Sequence, residues 1–132
     1  MKLGNRTPYF GETRKRLRAY RELCYRCATV RGMAGEDGGE APDLFSEKER
    51  LDAARSFVRE RHYNGSLYDR ILFHTYFAKE KRPSEAVITE LNEEGFLMER
   101  STYYRYLDLA VSALALALYG SDPKPERKEE EA

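Results

Sequence analysis

Helical spacing of apolar residues is the feature that most constrains this chain. It recurs from Leu17 to Leu118, and no stretch alternates apolar and polar residues for long enough to predict a strand. The clearest stripe lies near the C-terminal end, follows a 3,4,3,4 spacing, and consists of Tyr104, Leu107, Val111, Leu114 and Leu118. With 132 residues, of which 41% are hydrophobic, the chain can bury one core of ordinary size. The sequence therefore predicts an all-α fold, a small helical bundle.

Turn residues divide the chain into four predicted segments. A basic N-terminal helix lies within 1–31, spans about Thr13 to Arg31, and has Gly32 at its C-terminal end. A flexible, glycine-rich loop covers 32–45, and a helical domain covers 46–120. A disordered tail that ends in a Lys/Glu run covers 121–132.

Capping patterns place the helices of the 46–120 domain. Ser46-Glu47-Lys48-Glu49 is a capping box, which opens a helix with the inward face Leu51, Ala54, Phe57 and Val58. Asn64-Gly65 ends this helix, and Ser66-x-x-Asp69 opens a third helix that is apolar on more than one side and is therefore predicted to be central. Pro83-Ser84 opens a short fourth helix, and a long fifth helix begins near Glu99 to Ser101.

The net charge of the chain is zero, but the charge is unevenly distributed. Residues 1–31 hold nine basic and two acidic residues, a local net of +7, so the rest of the chain is mildly acidic. Such a basic segment either attracts a polyanion, most often nucleic acid, or forms a solvated helix face that pairs with acidic neighbours.

The order of elements within 66–120 is typical of a helix-turn-helix, with the motif itself at about 83–120 and ending in the long helix. The second helix of this motif enters the DNA major groove with its first residues at the base edges. The predicted base-reading residues are Arg100, Ser101, Thr102, Arg105 and Tyr106, whereas Tyr104 and Leu107 are predicted to point inward. Predicted phosphate contacts come from the link before the fourth helix and from the N-terminal helix: Lys79, Lys81, Arg82, Ser84, Arg14, Lys15 and Arg18.

The same stretch resembles a known family. The residues Ile71-Leu72, Tyr76-Phe77, Pro83-Ser84, Val87-Ile88 and Leu91 are similar to the start of region 4 of sigma-70 factors, and 101–111 is similar to its recognition helix. With Tyr20-Arg21-Glu22-Leu23 in the N-terminal helix, the chain resembles small phage and prophage transcriptional regulators of the ArpU and RinA type. The resemblance implies a sequence-specific regulator that binds double-stranded DNA in the bacterial cytoplasm, with RNA polymerase as a further candidate partner.

Three features depart from the family pattern, and the first is that the body around the motif is acidic rather than basic. The segment from Asn92 to Glu99 is longer than the usual tight turn, which allows a different angle for the recognition helix. Glu99 and Asp108 flank the proposed reading face, where a carboxylate facing DNA repels phosphate.

Other chemistry-bearing residues favour structural roles. Cys24 and Cys27 form a C-x-x-C pair without the two further ligands that zinc usually needs, so buried free thiols are predicted. His74, beside Phe73 and Tyr76, is predicted to be a core or boundary histidine, and Glu93-Glu94 is predicted to be solvated charge. No catalytic triad, paired carboxylates, phosphate loop or dinucleotide motif is present in the sequence, so no enzymatic activity, metal or cofactor is predicted.

The segment from Leu109 to Tyr119 is apolar nearly all round and must be covered. It either packs on the N-terminal helix or forms a homodimer seam, and self-association is favoured because the chain offers few other covering elements. At 11 residues it is too short to span a membrane, and the N-terminal residues lack the apolar stretch of a secretory signal.

Two other functions are consistent with the same sequence features. The first is a helical protein-interaction module, whose basic helix binds an acidic protein surface. The second is a DNA-binding subunit like the small terminase of phages, which joins a DNA-reading unit to an oligomerising segment.

Overall fold

The computed structural model describes residues 8–34 and 42–120, and within these ranges the chain is helical with no strand. The elements are α1 (Phe10–Arg18), α2 (Tyr20–Ala34), α3 (Pro42–Arg61), α4 (Gly65–Leu72), a π-helical turn (Phe73–Phe77), α5 (Ser84–Glu93) and α6 (Arg100–Tyr119). The predicted all-α fold is confirmed. The predicted disordered tail and the middle of the predicted flexible loop lie outside the described residues.

The basic N-terminal helix is two helices, not one. The amide of Ala19 is shared between the carbonyl oxygens of Lys15, at 3.3 Å, and Arg16, at 3.2 Å, and α1 ends there. Leu17 on α1 and Tyr20 on α2 are both buried in the same core. The predicted bounds are wrong at both ends, since helix begins at Phe10 and runs past Gly32 to Ala34.

α3 begins four residues before its predicted start. Pro42 occupies the first helical position, where a missing amide hydrogen costs nothing, and Leu44 and Phe45 pack against the core. Ser46 therefore lies within the helix and is exposed, so the predicted capping box at 46–49 is wrong.

The turn between α3 and α4 depends on Gly65. A Cβ at this position would collide with the carbonyl oxygens of Val58 and Arg59, so only glycine allows the two helices to approach so closely. Asp69, predicted to complete a capping pattern, is instead buried and forms an ion pair with Arg55 at 2.7 Å. The Arg55 guanidinium lies 5.0 Å from the ring centroids of both Phe73 and Phe77.

A large core joins α1, α2, α3, α4 and the C-terminal half of α6. Its buried residues include Leu17, Leu51, Leu72, Val111 and Leu114. On α3 the predicted inward face is correct for Leu51, Ala54 and Val58, but the side chain of Phe57 is 51% exposed.

The apolar segment 109–119 is covered mostly by its own chain. α1, α3 and α4 all pack on α6, and Ala110, Val111, Leu114, Ala115 and Leu118 are buried. Tyr119 stacks on Tyr9 with 4.3 Å between ring centroids. The reason given for favouring self-association, a shortage of covering elements, is therefore wrong. Leu109 and Leu116 nevertheless remain exposed.

A second, smaller core defines what we call the three-helix unit: α4 with its π-helical turn, α5, and the first turns of α6. Its buried residues are Ile71, Val87, Leu91 and Tyr103. Phe96 and Met98, from the connection between α5 and α6, pack against it. Among the described residues, no helix is long and apolar enough to cross a membrane.

Candidate nucleic-acid interface

The connection between α5 and α6 is long, as predicted, but it is fixed by specific contacts. Gly95 turns the chain with a φ of 102°, a conformation that favours glycine. The Phe96 amide donates to the Leu91 carbonyl at 2.9 Å, and the Met98 amide donates to Oδ1 of Asn92 at 2.9 Å. These contacts set the direction in which α6 starts.

The predicted base-reading residues divide into exposed and partly covered side chains. Arg100, Ser101 and Arg105 are exposed in the first turns of α6. Thr102 is half-buried. Tyr106 is also half-buried and packs against both cores, so the structure presents less of it than predicted. Three of the five predicted readers therefore have exposed side chains.

The phase predicted for the start of α6 is wrong by one residue. Tyr103, not Tyr104, points inward: its side chain is 2% exposed and its hydroxyl shares a hydrogen bond with Oγ1 of Thr75 at 2.8 Å. Tyr104 is 44% exposed. Tyr104 is thus a surface aromatic residue beside the predicted readers, and the sequence pattern did not reveal it.

Contacts between side chains bring the N-terminal ends of α5 and α6 together. The Tyr104 hydroxyl donates to Oγ of Ser84 at 3.0 Å. Arg100 pairs with Glu85 at 3.6 Å, and both of these side chains are largely exposed. Because backbone amides at helix N-terminal ends favour anions, two such ends beside cationic side chains suit phosphate.

Hydrogen bonds from α2 hold the link between the π-helical turn and α5 in place. Arg21 donates to the carbonyl oxygens of Ala78 at 2.7 Å, Thr75 at 3.2 Å and Glu80 at 3.4 Å. Burial, with a smaller contribution from nearby Arg82, lowers the pKa of Arg21 from its ordinary value. Lys79 and Lys81 are exposed on this link, as their predicted phosphate role requires.

Arg82 differs from the two lysines because it is turned toward the protein. It donates to Nδ1 of His74 at 3.0 Å and lies 3.5 Å from Oε2 of Glu90. With Nδ1 accepting, the other ring nitrogen of His74 carries the proton and donates to Oε2 of Glu94 at 2.8 Å. Arg82 is thus part of an internal network, and its predicted phosphate contact competes with these bonds.

Glu94 is held by partners and is not the simple solvated charge that was predicted. Arg70 donates twice to its carboxylate, each time at 3.0 Å. Hydrogen bonding to Arg70, with a smaller contribution from His74, lowers the pKa of Glu94 from 4.5 to about 2. Burial of His74, which was predicted, is confirmed.

The donor atoms of His74, Glu90 and Glu94 lie within 4.8 Å of one another, a spacing that a metal ion could use. The guanidinium groups of Arg70 and Arg82 already bond to this group, and their charge opposes a cation. The arrangement fits an ion-pair network that ties α4 to α5.

The N-terminal basic residues lie on another part of the molecule. α1 packs on the C-terminal end of α6, where the Arg16 guanidinium lies 5.2 Å from the centroid of the Tyr119 ring. Tyr119 is about 28 Å along the helix from Arg100. Lys15 and Arg18 are exposed on α1, and Arg14 is half-buried.

The cysteines are free thiols, as predicted. Cys27 is buried and Cys24 is half-buried. Burial raises the pKa of Cys27, and within the described ranges no cluster of metal-ligating groups includes either residue. Both therefore contribute to packing.

Comparison with known proteins gives no match: no family model, curated protein or solved structure is similar to this chain.

Proposed function

We propose that this protein is a sequence-specific regulator that binds double-stranded DNA through the start of α6. The observation that carries the proposal is the meeting of two helix N-terminal ends, at Ser84 and Arg100, beside exposed Lys79, Lys81 and Arg105. The arrangement of α4, α5 and α6 around their own small core supports it, because a helix-turn-helix needs a rigid support for its second helix.

In this proposal the first turns of α6 lie in the major groove. Arg105 and Arg100 can each donate two hydrogen bonds to guanine, and Ser101 can contact a base or phosphate. Tyr104 adds an aromatic edge for contact with a thymine methyl group.

Ser84 is placed to bind a phosphate on the DNA backbone. Because its Oγ accepts a hydrogen bond from the Tyr104 hydroxyl, its own hydroxyl hydrogen stays free to donate outward. Lys79 and Lys81 supply charge on the same link, and the amides that open α5 add further donors.

Glu85 opposes binding in the free protein. Its carboxylate holds Arg100 at 3.6 Å and repels phosphate. We expect Glu85→Gln to increase DNA affinity severalfold, since it releases Arg100 and removes one negative charge. Weaker binding by this variant would show that Arg100 needs the pair and does not face DNA.

The proposal is tested by fluorescence anisotropy with labelled duplexes at two salt concentrations. The probes are the DNA that flanks the protein's own gene and a scrambled duplex. Preferential binding to the flanking DNA that weakens steeply with salt supports the proposal, since phosphate contacts release counterions. No binding at low salt would overturn it and favour the protein-interaction module.

A matched pair of variants locates the binding face. Arg105→Ala is expected to cost about 1–3 kcal/mol of binding and to relax specificity at one base pair. Arg26, exposed on α2 away from this face, provides the control: Arg26→Ala removes the same charge and should change affinity little. Equal losses in the two variants would contradict the assignment of the face.

A further inference from the structure

One apolar part of the surface is left uncovered by the chain itself. Leu109 is 45% exposed and Leu116 is 58% exposed, and both lie on the same side of α6, two turns apart. Ser112 and Ala113 are half-buried between them. We call these four residues, Leu109, Ser112, Ala113 and Leu116, the α6 ridge.

A recess borders the α6 ridge on the side of α3. It has a volume of about 230 Å³ and is lined by Phe57, Val58, Ala113, Leu116 and Ala117, together with the polar residues Arg61 and His62. Phe57 is itself 51% exposed. Large apolar side chains that surround a recess on one surface mark an interaction site more often than scattered exposed residues do.

The α6 ridge is complementary to itself. An antiparallel helix pair with its two-fold axis between residues 112 and 113 places Leu109 of one copy opposite Leu116 of the other. The same axis places Ser112 opposite Ala113, so small residues meet where the two helices come closest. A two-fold interface requires such matching, because the same surface is used on both copies.

We infer that a second copy of this chain covers the α6 ridge, forming an antiparallel two-fold dimer centred on Ser112 and Ala113. Leu109 of each copy then lies over the recess beside Leu116 and Phe57 of the other. This gives the interface three large apolar side chains from each copy.

The ridge meets the exposed start of α6 only at Arg105. At about 100° per residue, Arg100 and Tyr104 are about 170° and about 130° away from the line of Leu109 and Leu116, and Ser101 is about 70° away. Arg105 is about 30° from this line, one turn before Leu109. The dimer therefore leaves Arg100 and Tyr104 accessible and brings Arg105 to the edge of the interface.

The spacing of the two copies fits duplex DNA, a part of the inference that rests on the proposed function. At 1.5 Å per residue, Ser101 of one copy is about 35 Å from Ser101 of the other along an antiparallel pair. Successive major grooves on one side of DNA are about 34–36 Å apart. The dimer is thus expected to prefer two inverted half-sites one helical turn apart.

The dimer is tested without DNA, by sedimentation equilibrium of the full chain from micromolar to hundreds of micromolar concentration. We expect the mass of a dimer for the wild type and of a monomer for Leu116→Glu. Tyr25→Glu is the control, because Tyr25 is 68% exposed on α2 away from the ridge, and this variant should stay dimeric. A monomeric wild type, or a dimer that Leu116→Glu leaves intact, would overturn the inference.

Cross-linking tests the register. In a background with Cys24→Ala and Cys27→Ala, Ser112→Cys should give a disulfide-linked dimer on oxidation, because residue 112 lies near the axis. Tyr25→Cys in the same background should not. Absence of cross-linking by Ser112→Cys in a folded, dimeric variant, confirmed by circular dichroism, would overturn the proposed register.

DNA with half-sites at different spacings separates this inference from the proposed function. Cooperative binding at a spacing of one turn, lost in Leu116→Glu while binding to one half-site remains, supports both. If Leu116→Glu dissociates the dimer but the wild type binds no DNA, the interface is supported and the proposed function is contradicted. If the wild type is a monomer that binds DNA, the proposed function is supported and the interface is contradicted.

Discussion

The two cores of this protein are stabilised by different means. The large core buries side chains from α1, α2, α3, α4 and α6, and most of its buried residues are apolar. The small core of the three-helix unit has four buried residues, and polar contacts surround them: Tyr103 to Thr75, Glu94 to Arg70 and His74, and Asn92 to the Met98 amide.

This difference matches what each part has to do. Apolar burial stabilises a bundle without fixing any single direction, whereas hydrogen bonds fix where a side chain and a helix end point. The candidate DNA-binding face lies on the part whose geometry is set by hydrogen bonds. We therefore expect mutations in the large core to lower global stability and mutations in the small core to disturb the face.

The largest effect is expected from truncating a buried leucine in each core. Leu114 and Leu91 are both fully buried, and replacing either with alanine should cost about 2–5 kcal/mol of unfolding free energy. Denaturant titration measures the loss. Native-state hydrogen exchange should separate them: Leu114→Ala lowers protection in all helices, and Leu91→Ala lowers it first in α5 and the start of α6. Equal loss of protection everywhere in both variants would contradict two separable cores.

The large core also contains polar contacts, since the Tyr20 hydroxyl donates to Asp52 and the Arg55 guanidinium pairs with buried Asp69. Arg55→Met should destabilise the protein by about 3 kcal/mol, because the buried Asp69 carboxylate then loses its partner at 2.7 Å and keeps the more distant Arg59, at 3.9 Å. Thermal unfolding checks this value. The double variant Arg55→Met, Asp69→Leu should recover much of the loss, and a double variant as unstable as the single one would show that Arg55 acts through its contacts with Phe73 and Phe77.

Acid should weaken the small core through Glu94. Its pKa is lowered from 4.5 to about 2 in the folded protein, so its contribution is complete above pH 4.5 and disappears as the pH falls toward 2. Glu94→Gln should cost about 1–2 kcal/mol at neutral pH. Unfolding free energies across this pH range should fall less steeply in the variant, and the same slope in both proteins would contradict the role of this ion pair.

The smallest effect is expected from two adjacent tyrosine hydroxyls. Tyr103→Phe removes the bond to Thr75 and should cost about 0.5–1.5 kcal/mol of stability. Tyr104→Phe removes the bond from the exposed Tyr104 hydroxyl to half-buried Ser84 and should leave stability nearly unchanged while lowering DNA affinity. For both variants, chemical denaturation measures the free energy of unfolding, and fluorescence anisotropy measures DNA affinity. A reversed order would show that Tyr104 supports the fold and Tyr103 does not.

Much of the architecture follows from the sequence, but helix phase at the start of α6 does not. The stripe 104, 107, 111, 114, 118 and the stripe 103, 107, 110, 114, 118 both satisfy helical spacing, and adjacent tyrosines at 103 and 104 do not distinguish them. The hydroxyl of Thr75, distant in sequence, decides between them because it gives Tyr103 a buried partner. Because of this error, the exposed Tyr104 was missing from the predicted base-reading residues.

The residues at which helices begin are also not fully predictable from the sequence. Ser46 has the residue type of a cap, but Pro42, with Leu44 and Phe45 behind it, begins the helix because those apolar groups pack on the core. The break at Ala19 has no local signal in the sequence, since alanine favours helix. The exposed residues Arg100, Ser101, Arg105, Lys79 and Lys81 were found from the sequence, whereas the inward turn of Arg82 depends on His74 and Glu90.

The central claim is that DNA binds the starts of α5 and α6. It is tested most directly by mapping amide chemical shifts of labelled protein as duplex DNA is added at low salt. We predict the largest shifts within 79–85 and 100–106, and small shifts in α1 around Lys15 and Arg18. Shifts confined to α1, or no shifts at all, would contradict the account.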